Sequence, residues 1–581
     1  ASNGVSNGLR GDSGASNGDS SEQRTHSTNF RELAVRSHQW ARLTVDSLRT
    51  PYLGAGNLMA ILESLLVALD KRRPRPAEAL RKNPYLEGNF APVGYEADTP
   101  ALDVIAGAIP QTLRGTLYRM SPAPRFPPVN RGLYHWFDGD GMIDAFFIDG
   151  GRVHHKNRWV RTEKLQIEER AGRALFGGLR DLATSTSIEG FLGLGFSAIE
   201  LLTLQALGAL GRKPSMDVIA RILRAMDRSN TSIQKMAGRL LTLVEGSGAH
   251  EIDPHTLETL GRFDFDGAID LTKGGMLAHP KIEPTTGAIY TLGYWGDRGG
   301  LTYYVIGRDG KLRLKREFET TYAAMMHDFS VTATRAVFYH LPAVLHLEDV
   351  KDPNVIRWEP SRGARIGVVD RDSPSAPLRW YSIPPCYIFH PLNAYDEGNT
   401  VVLDVVKFAR LPLFDLASDE AVQLIDESVP GNLTRLVLDL DTGKVTETKI
   451  DEAPCEFPTC DPRYAMRRHR YGWIGARVGE TCGRGHLNAI GKVDYQTGQV
   501  RFRTLGKSSY TGEALFVPRS DDAPEGDGYL MSTIYHADEG VSDLLILDAQ
   551  QIEAEPVAVI RTRQRVPFGF HGTWVPSEQT A

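Results

Sequence analysis

RLVLDLDTGKVTETKI, residues 435–450, reads as a β-hairpin, and its pattern decides the fold. Two runs rich in leucine, valine and threonine flank Thr442-Gly443, where glycine takes the positive φ that a tight turn needs. The same arrangement recurs along the chain. FFID (146–149) meets Gly150-Gly151 and then Arg152-Val153, and YYVIGR (303–308) meets Asp309-Gly310 and then KLRLKREF. GKVDY (491–495) runs through Thr497-Gly498 into QVRFRTL. DPHTLETLGRFDF (253–265) and LLILDAQQIEAEPVAVI (544–560) behave similarly with longer turns. Hairpins repeated from about residue 83 onward predict an all-β chain whose sheets surround an axis, a β-propeller. Their spacing is too loose to give a blade number.

The composition suits one large globular body: 581 residues, 41% hydrophobic and 24% charged. A net charge of −6 supplies no basic field for nucleic acid. Lys71-Arg72-Arg73 and Arg467-Arg468-His469-Arg470 read as solvated surface, the first also as a candidate contact with lipid headgroups. Cys386, Cys455, Cys460 and Cys482 form no CxxC pair. That argues against a disulfide scaffold or a thiolate zinc site, and points to a reducing, cytoplasmic setting.

Residues 1–28, rich in Ser, Asn and Gly, read as a disordered tail, not as a signal peptide. Residues 29–82 read as a helical extension. Within it NLMAILESLLVALD (57–70) is apolar over most of its circumference and is closed by Arg73-Pro74. It is expected either to pack on the main body or to make a peripheral membrane contact. Residues 83–581 form the propeller domain, interrupted by a helical insertion at about 185–227. FLGLGFSAIELLTLQALGAL (191–210) is long enough for a bilayer span but carries Glu200 and Gln205 near its centre. The expectation is a helical cap over one propeller face, as a lid or as a membrane-dipping tunnel wall.

Four histidines each close a short apolar run: His279 in GGMLAHPKIEP, His327 in YAAMMHDFSV, His390 in CYIFHPLNAY and His571 in PFGFHGTWV. Any one alone reads as a structural histidine. Together they suggest strand ends meeting at one point, which at these separations only a closed, radially repeated fold allows. Neutral imidazoles suit iron, copper, zinc or nickel. Four protein ligands would close a tetrahedral zinc site, whereas six-coordinate iron keeps two positions open for dioxygen and substrate. Iron(II), one per chain, is therefore the choice for an enzyme. Metal-bound histidines normally donate their other N–H to a carboxylate or carbonyl. Glu245 in LLTLVEGSG, Glu456 in APCEFPTCD and Glu513 in YTGEALFVP stand in apolar, strand-like contexts that fit such partners.

With these residues in view, the chain resembles the carotenoid cleavage oxygenase family, which includes carotenoid, apocarotenoid and lignostilbene dioxygenases. The resemblance runs from about Asn83 to Val575. It is carried by LEGNFAPVGYE, YHWFDGDGMI, RFDFDG, AHPKIEPTTG, MHDFSVT, FHPLNAYDEG, EALFVPR and VPFGFHGTW. It implies a seven-bladed propeller with a helical cap and Fe(II) held by His279, His327, His390 and His571. It places Glu245, Glu456 and Glu513 behind those histidines, and Thr231 in SNTSI where a side chain crowds one open iron position. It makes Asp138-Gly139-Asp140-Gly141 a structural turn, not a calcium loop.

The implied reaction is cleavage of a conjugated C=C bond by O2 to two carbonyl products, with no catalytic residue required beyond the iron centre. Lignostilbene-type members carry a lysine before the Glu245 position that grips the substrate phenol; here Val244 stands there. An apolar residue suits a hydrophobic polyene, so a carotenoid or apocarotenoid is expected as substrate, with a stilbenoid as the alternative. The class-level alternative is a non-enzymatic propeller serving as an interaction platform, against which the His and Glu set argues.

Overall fold

In a computed structural model of the chain, the residues described are 83–179, 227–347, 355–412, 429–479 and 486–579. Seven antiparallel sheets of four to six strands surround one axis, making a seven-bladed β-propeller. The hairpins read from sequence are antiparallel pairs. Gly431–Asp439 pairs with Val445–Lys449, Gly300–Ile306 with Leu312–Glu319, and Ala489–Asp494 with Gln499–Thr504. An additional two-stranded ribbon, Ala343–Leu345 with Ile356–Trp358, projects from the fourth blade.

Burial follows distance from the axis. The inner strand Phe329–Val331 is buried throughout. The outer strand Leu312–Glu319 turns Leu314, Arg316 and Phe318 inward and exposes Arg313, Lys315 and Glu317. Between blades the aliphatic faces interlock: Val337, Ile366, Leu403, Leu436 and Ile474 belong to one buried cluster.

The ring is closed by strands far apart in sequence. The first blade takes Gly115–Pro122, Gly141–Asp149 and Arg152–Trp159, and its inner strand is Gly572–Pro576. That pairing runs from Gly115 opposite Pro576 to Arg119 opposite Gly572. On the rim, Asp103–Gly107 completes the seventh blade by pairing with Ala558–Arg561.

Two inner strands depart from regular register where chemistry is expected. In Tyr387–Glu397 the ladder shifts on both sides of Pro391, which has no N–H to give. In Cys455–Cys460 it shifts between Glu456 and Thr459, and Phe457 takes φ 53°. Both irregularities re-aim the neighbouring side chains, His390 and Glu456.

The Asp138–Gly141 stretch is built as a turn. Lys164, on the helix Glu163–Ala171, lies 2.7 Å from Asp140 Oδ1, and a Cβ on Gly141 would stand 2.2 Å from the Ser229 carbonyl oxygen. Cys386 and Cys455 are buried free thiols and Cys460 is partly buried; burial pushes the Cys386 and Cys460 thiols up to about 12. Cys482 lies outside the described residues, as do the expected tail, the helical extension over 29–82 and the insertion at 185–227 apart from Asp227. Among the described residues Glu163–Ala171 is the one α-helix, and no helix is long and apolar enough to cross a membrane.

One buried group outside the axial cluster gives the fold a pH dependence. His340 is fully buried, donates from Nε2 to the Tyr322 carbonyl at 3.1 Å, and accepts from Arg365 Nε at 3.3 Å. Burial holds it down at about 4, from the usual 6.5. Below pH 6.5 the unfolded chain therefore binds a proton that the native state refuses, and stability falls as pH drops toward 4. At pH 5.5 this amounts to about 1.4 kcal/mol relative to pH 8. Denaturant titrations of wild type and His340→Gln across pH 4.5–8 should differ in slope by about one proton in that window. Parallel slopes would remove His340 from this role.

Candidate metal centre

Each of the four predicted histidines sits on an inner strand or just before one. His279 precedes Lys281–Ile282, His327 precedes Phe329–Val331, His390 lies within Tyr387–Glu397, and His571 precedes Gly572–Pro576. The propeller brings their rings together. Ring centroids are 4.6 Å apart for His279 and His327, 4.6 Å for His279 and His571, 4.7 Å for His390 and His571, and 5.1 Å for His327 and His390. His327 Nε2 lies 3.1 Å from the Nε2 of both His279 and His390. These three buried histidines could hold a metal ion, their ligand atoms all lying within 4.8 Å of one another. The ring of His571 completes the cluster from the ring-closing strand.

The three glutamates stand behind three of the rings. His327 Nδ1 is bonded to Glu245 Oε1. His390 Nδ1 lies 2.6 Å from Glu456 Oε2, and His571 Nδ1 lies 2.9 Å from Glu513 Oε1. A carboxylate accepts a hydrogen bond from Nδ1–H, which turns the Nε2 lone pair of a neutral ring toward the centre. His279 has no such partner: its nearest carboxylate, Asp328, is 3.8 Å from Nδ1 and is held instead by Lys281 at 2.7 Å. The sequence supplied three glutamates for four histidines, and the geometry distributes them in that way.

Charge supports the same reading. Burial, with the neighbouring histidines second, holds His279 and His390 well below the usual imidazole range, so both are neutral. At His327 burial acts the same way, but the Glu245 carboxylate outweighs it and the net direction is up. Burial raises Glu456 to about 7, against the hydrogen bond it accepts from the Phe457 N–H. Imidazole nitrogens converging at 3.1 Å on one point, with carboxylates behind the rings, form a donor set that fits a transition-metal ion.

Above the histidines lies a cavity of about 450 Å³, lined by His327, His390 and His571 and by Thr231, Val244, Phe389, Phe457 and Phe570, among others. Thr231 and Val244 are both part of its wall. Thr231 is fixed by its Oγ1, which donates to Asn230 Oδ1 at 3.1 Å.

A family described as retinal pigment epithelial membrane protein matches residues 90–576. The chain belongs to the carotenoid cleavage oxygenase family. Isoeugenol monooxygenase of Pseudomonas putida is 34% identical over 85% of this chain and 98% of its own length. Carotenoid 9,10(9',10')-cleavage dioxygenase 1 of Arabidopsis thaliana is 32% identical over 90% of this chain and 95% of its own. Among solved structures, Pseudomonas brassicacearum lignostilbene dioxygenase superposes with a TM-score of 0.75 at 29% identity, covering 87% of this chain and all of that one. A cobalt-substituted Synechocystis enzyme of the family superposes with a TM-score of 0.70 at 30% identity, covering 84% and 97%. Its relatives make this chain an oxygenase of the dioxygenase type.

Sequence reasoning passed over Tyr294. Its hydroxyl donates to Glu245 Oε2 at 2.6 Å, so Glu245 is gripped between a tyrosine in the cavity wall and the His327 ring. The tyrosine ends an ordinary strand, Ile289–Tyr294, and nothing in TLGYWGD separates it from a core aromatic. The aromatics beside the site did carry a signal, since Phe389, Phe457 and Phe570 are each adjacent in sequence to a predicted site residue.

Glu456→Gln keeps the shape but removes the charge behind His390. Metal affinity, measured by chelator competition, should fall by about 10–100-fold. Tyr294→Phe should weaken it by a smaller factor, about 5–10-fold, because one hydrogen bond to a carboxylate is lost. Unchanged affinity in both variants would mean that these carboxylates do not orient the rings.

Proposed function

We propose that the protein is a non-haem Fe(II) dioxygenase, one iron per chain, that cleaves a conjugated C=C bond of a carotenoid or apocarotenoid. His279, His327, His390 and His571 would hold the iron, with Glu245, Glu456 and Glu513 fixing three of the rings. The observation that carries this reading is the convergence of buried Nε2 atoms beneath an aromatic cavity in a chain of this family. The balance is simple: one alkene and one O2 give two carbonyl compounds, with both oxygen atoms in the products. Iron bound there supplies oxygen activation. The chain's own residues do the rest. Phe389, Phe457 and Val244 bind and orient an apolar polyene, exclude water and decide which double bond lies over the histidines. Thr231 narrows the space beside them.

Four histidine ligands favour iron over zinc on coordination number, since a fifth and sixth position must stay free for oxygen and substrate. Delivery of the polyene from a membrane by Asn57–Asp70 and Phe191–Leu210 is part of the proposal and rests on their sequence alone. A cytoplasmic location is inferred in the same way.

A second reading is favoured by a specific finding. The relatives named for isoeugenol and lignostilbene are as similar to this chain as those named for carotenoids. A phenylpropenoid or stilbenoid would occupy the same aromatic cavity, with Val244 in place of a phenol-gripping lysine.

The purified, iron-loaded protein should convert at least one apocarotenoid to two carbonyl products that both carry label from 18O2. Val244→Lys should slow polyene cleavage by about tenfold or more, because a charge enters an apolar wall. Faster cleavage of hydroxystilbenes than of every apocarotenoid would transfer the assignment to the second reading. Unlabelled products, or activity retained in His327→Ala, would end both.

A further inference from the structure

The cavity wall changes character from its floor to one side of its mouth. Near the histidines it is Phe389, Phe457 and Met325, all buried. At one side it is formed by residues 271–274 and 294–298, and there Thr272, Asp297 and Arg298 are exposed. The fixed point of that side is Trp295, which is 6% exposed and donates from Nε1 to Thr302 Oγ1 at 2.9 Å.

Two cations share its ring. Lys273 Nζ lies 4.7 Å and Arg298 Cζ 4.8 Å from the ring centroid. Each is attracted by the indole face, and the two repel each other. Lys273 is balanced by Glu317 at 2.6 Å. Arg298 lies 3.5 Å from the carboxylate of its chain neighbour Asp297, with 59% of the arginine side chain exposed, a pairing that contributes little. Among the described residues the guanidinium is thus held against a locked ring with most of its five N–H donors unspent.

We propose that Arg298, seated on Trp295 beside Lys273, binds an anionic oxygen at one end of the conjugated substrate, a carboxylate or a phenolate. The planar guanidinium fork matches such oxygens, and an anion there would offset the second positive charge over the indole. The cavity would then be amphipathic in the same sense as its substrate, with a conjugated apolar stem over the histidines and an oxygenated end at the mouth. This deepens the dioxygenase reading and rests on it. It selects acid-ended or phenolic compounds over pure hydrocarbons, which would desolvate the cations without compensation.

The test is equilibrium binding to the full-length, iron-loaded protein under anaerobic conditions, so that turnover does not intervene. The probes are stilbene-4-carboxylic acid, its methyl ester, 4-hydroxystilbene, and a polyene carboxylic acid with its methyl ester. Wild type should bind at least one acid about tenfold more tightly than its ester, the margin of a charge-assisted hydrogen bond. Arg298→Ala should abolish that preference while leaving ester affinity and the thermal midpoint unchanged, and Arg298→Lys should retain part of it. Comparing the two stems identifies which substrate class is held, and comparing acid with phenol identifies which oxyanion. Equal affinity for acid and ester in wild type, a preference that survives in Arg298→Ala, or no binding of any acid or phenol would overturn the proposal. Failure of the dioxygenase reading is separate: on admitting air, no probe would consume oxygen even where the binding preference holds.

Discussion

Everything at the axis depends on one β-pairing, Gly572–Pro576 against Gly115–Pro122. Strands on opposite sides of more than 400 residues must meet for the ring to close, and until they do the seventh and first sheets present open edges. His571 is carried by that closing strand and Glu513 by the neighbouring blade, so the pairing that completes the fold also completes the cluster. The hydrophobic contacts between blades stabilise the sheets, but the strand pairing places the imidazoles.

The blades divide the task between them. Histidines come from the first, third, fourth and fifth blades, and carboxylates from the second, sixth and seventh. A site distributed in this way has no local scaffold to rely on. It needs departures from regular pairing at Pro391 and Phe457 to turn His390 and Glu456 toward the centre. At Phe457, with φ 53°, the departure is local strain placed where the chemistry needs a particular direction.

Much of this was legible in the sequence, for physical reasons that differ by residue. The hairpins declared themselves because glycine at a positive-φ turn position leaves a fixed mark between two β-rich runs, as at Thr442-Gly443. The histidines and glutamates stood out because a titratable group ending an apolar run is costly unless paired. The blade number came only through resemblance, since loops such as those around the Ala343–Leu345 ribbon break any fixed period. Tyr294 and Arg298 were illegible: a tyrosine at a strand end and an arginine in a turn are ordinary surface grammar. Their interest arises only when Glu245 and Trp295 are brought beside them. The helical readings over 29–82 and 185–227 fall outside the described residues.

The order of the strands also has a consequence for a chain still being made. The strand Gly572–Pro576 follows every other described strand of the ring, so a chain made only as far as residue 570 holds three of the four imidazoles and lacks the closing pair. Synthesis order would therefore keep the proposed oxygen chemistry silent in fragments, where activated oxygen would have no enclosed substrate to attack. A metal that binds only the closed ring would also draw the last strand into place by mass action. Maturation and metal loading would then be a single event.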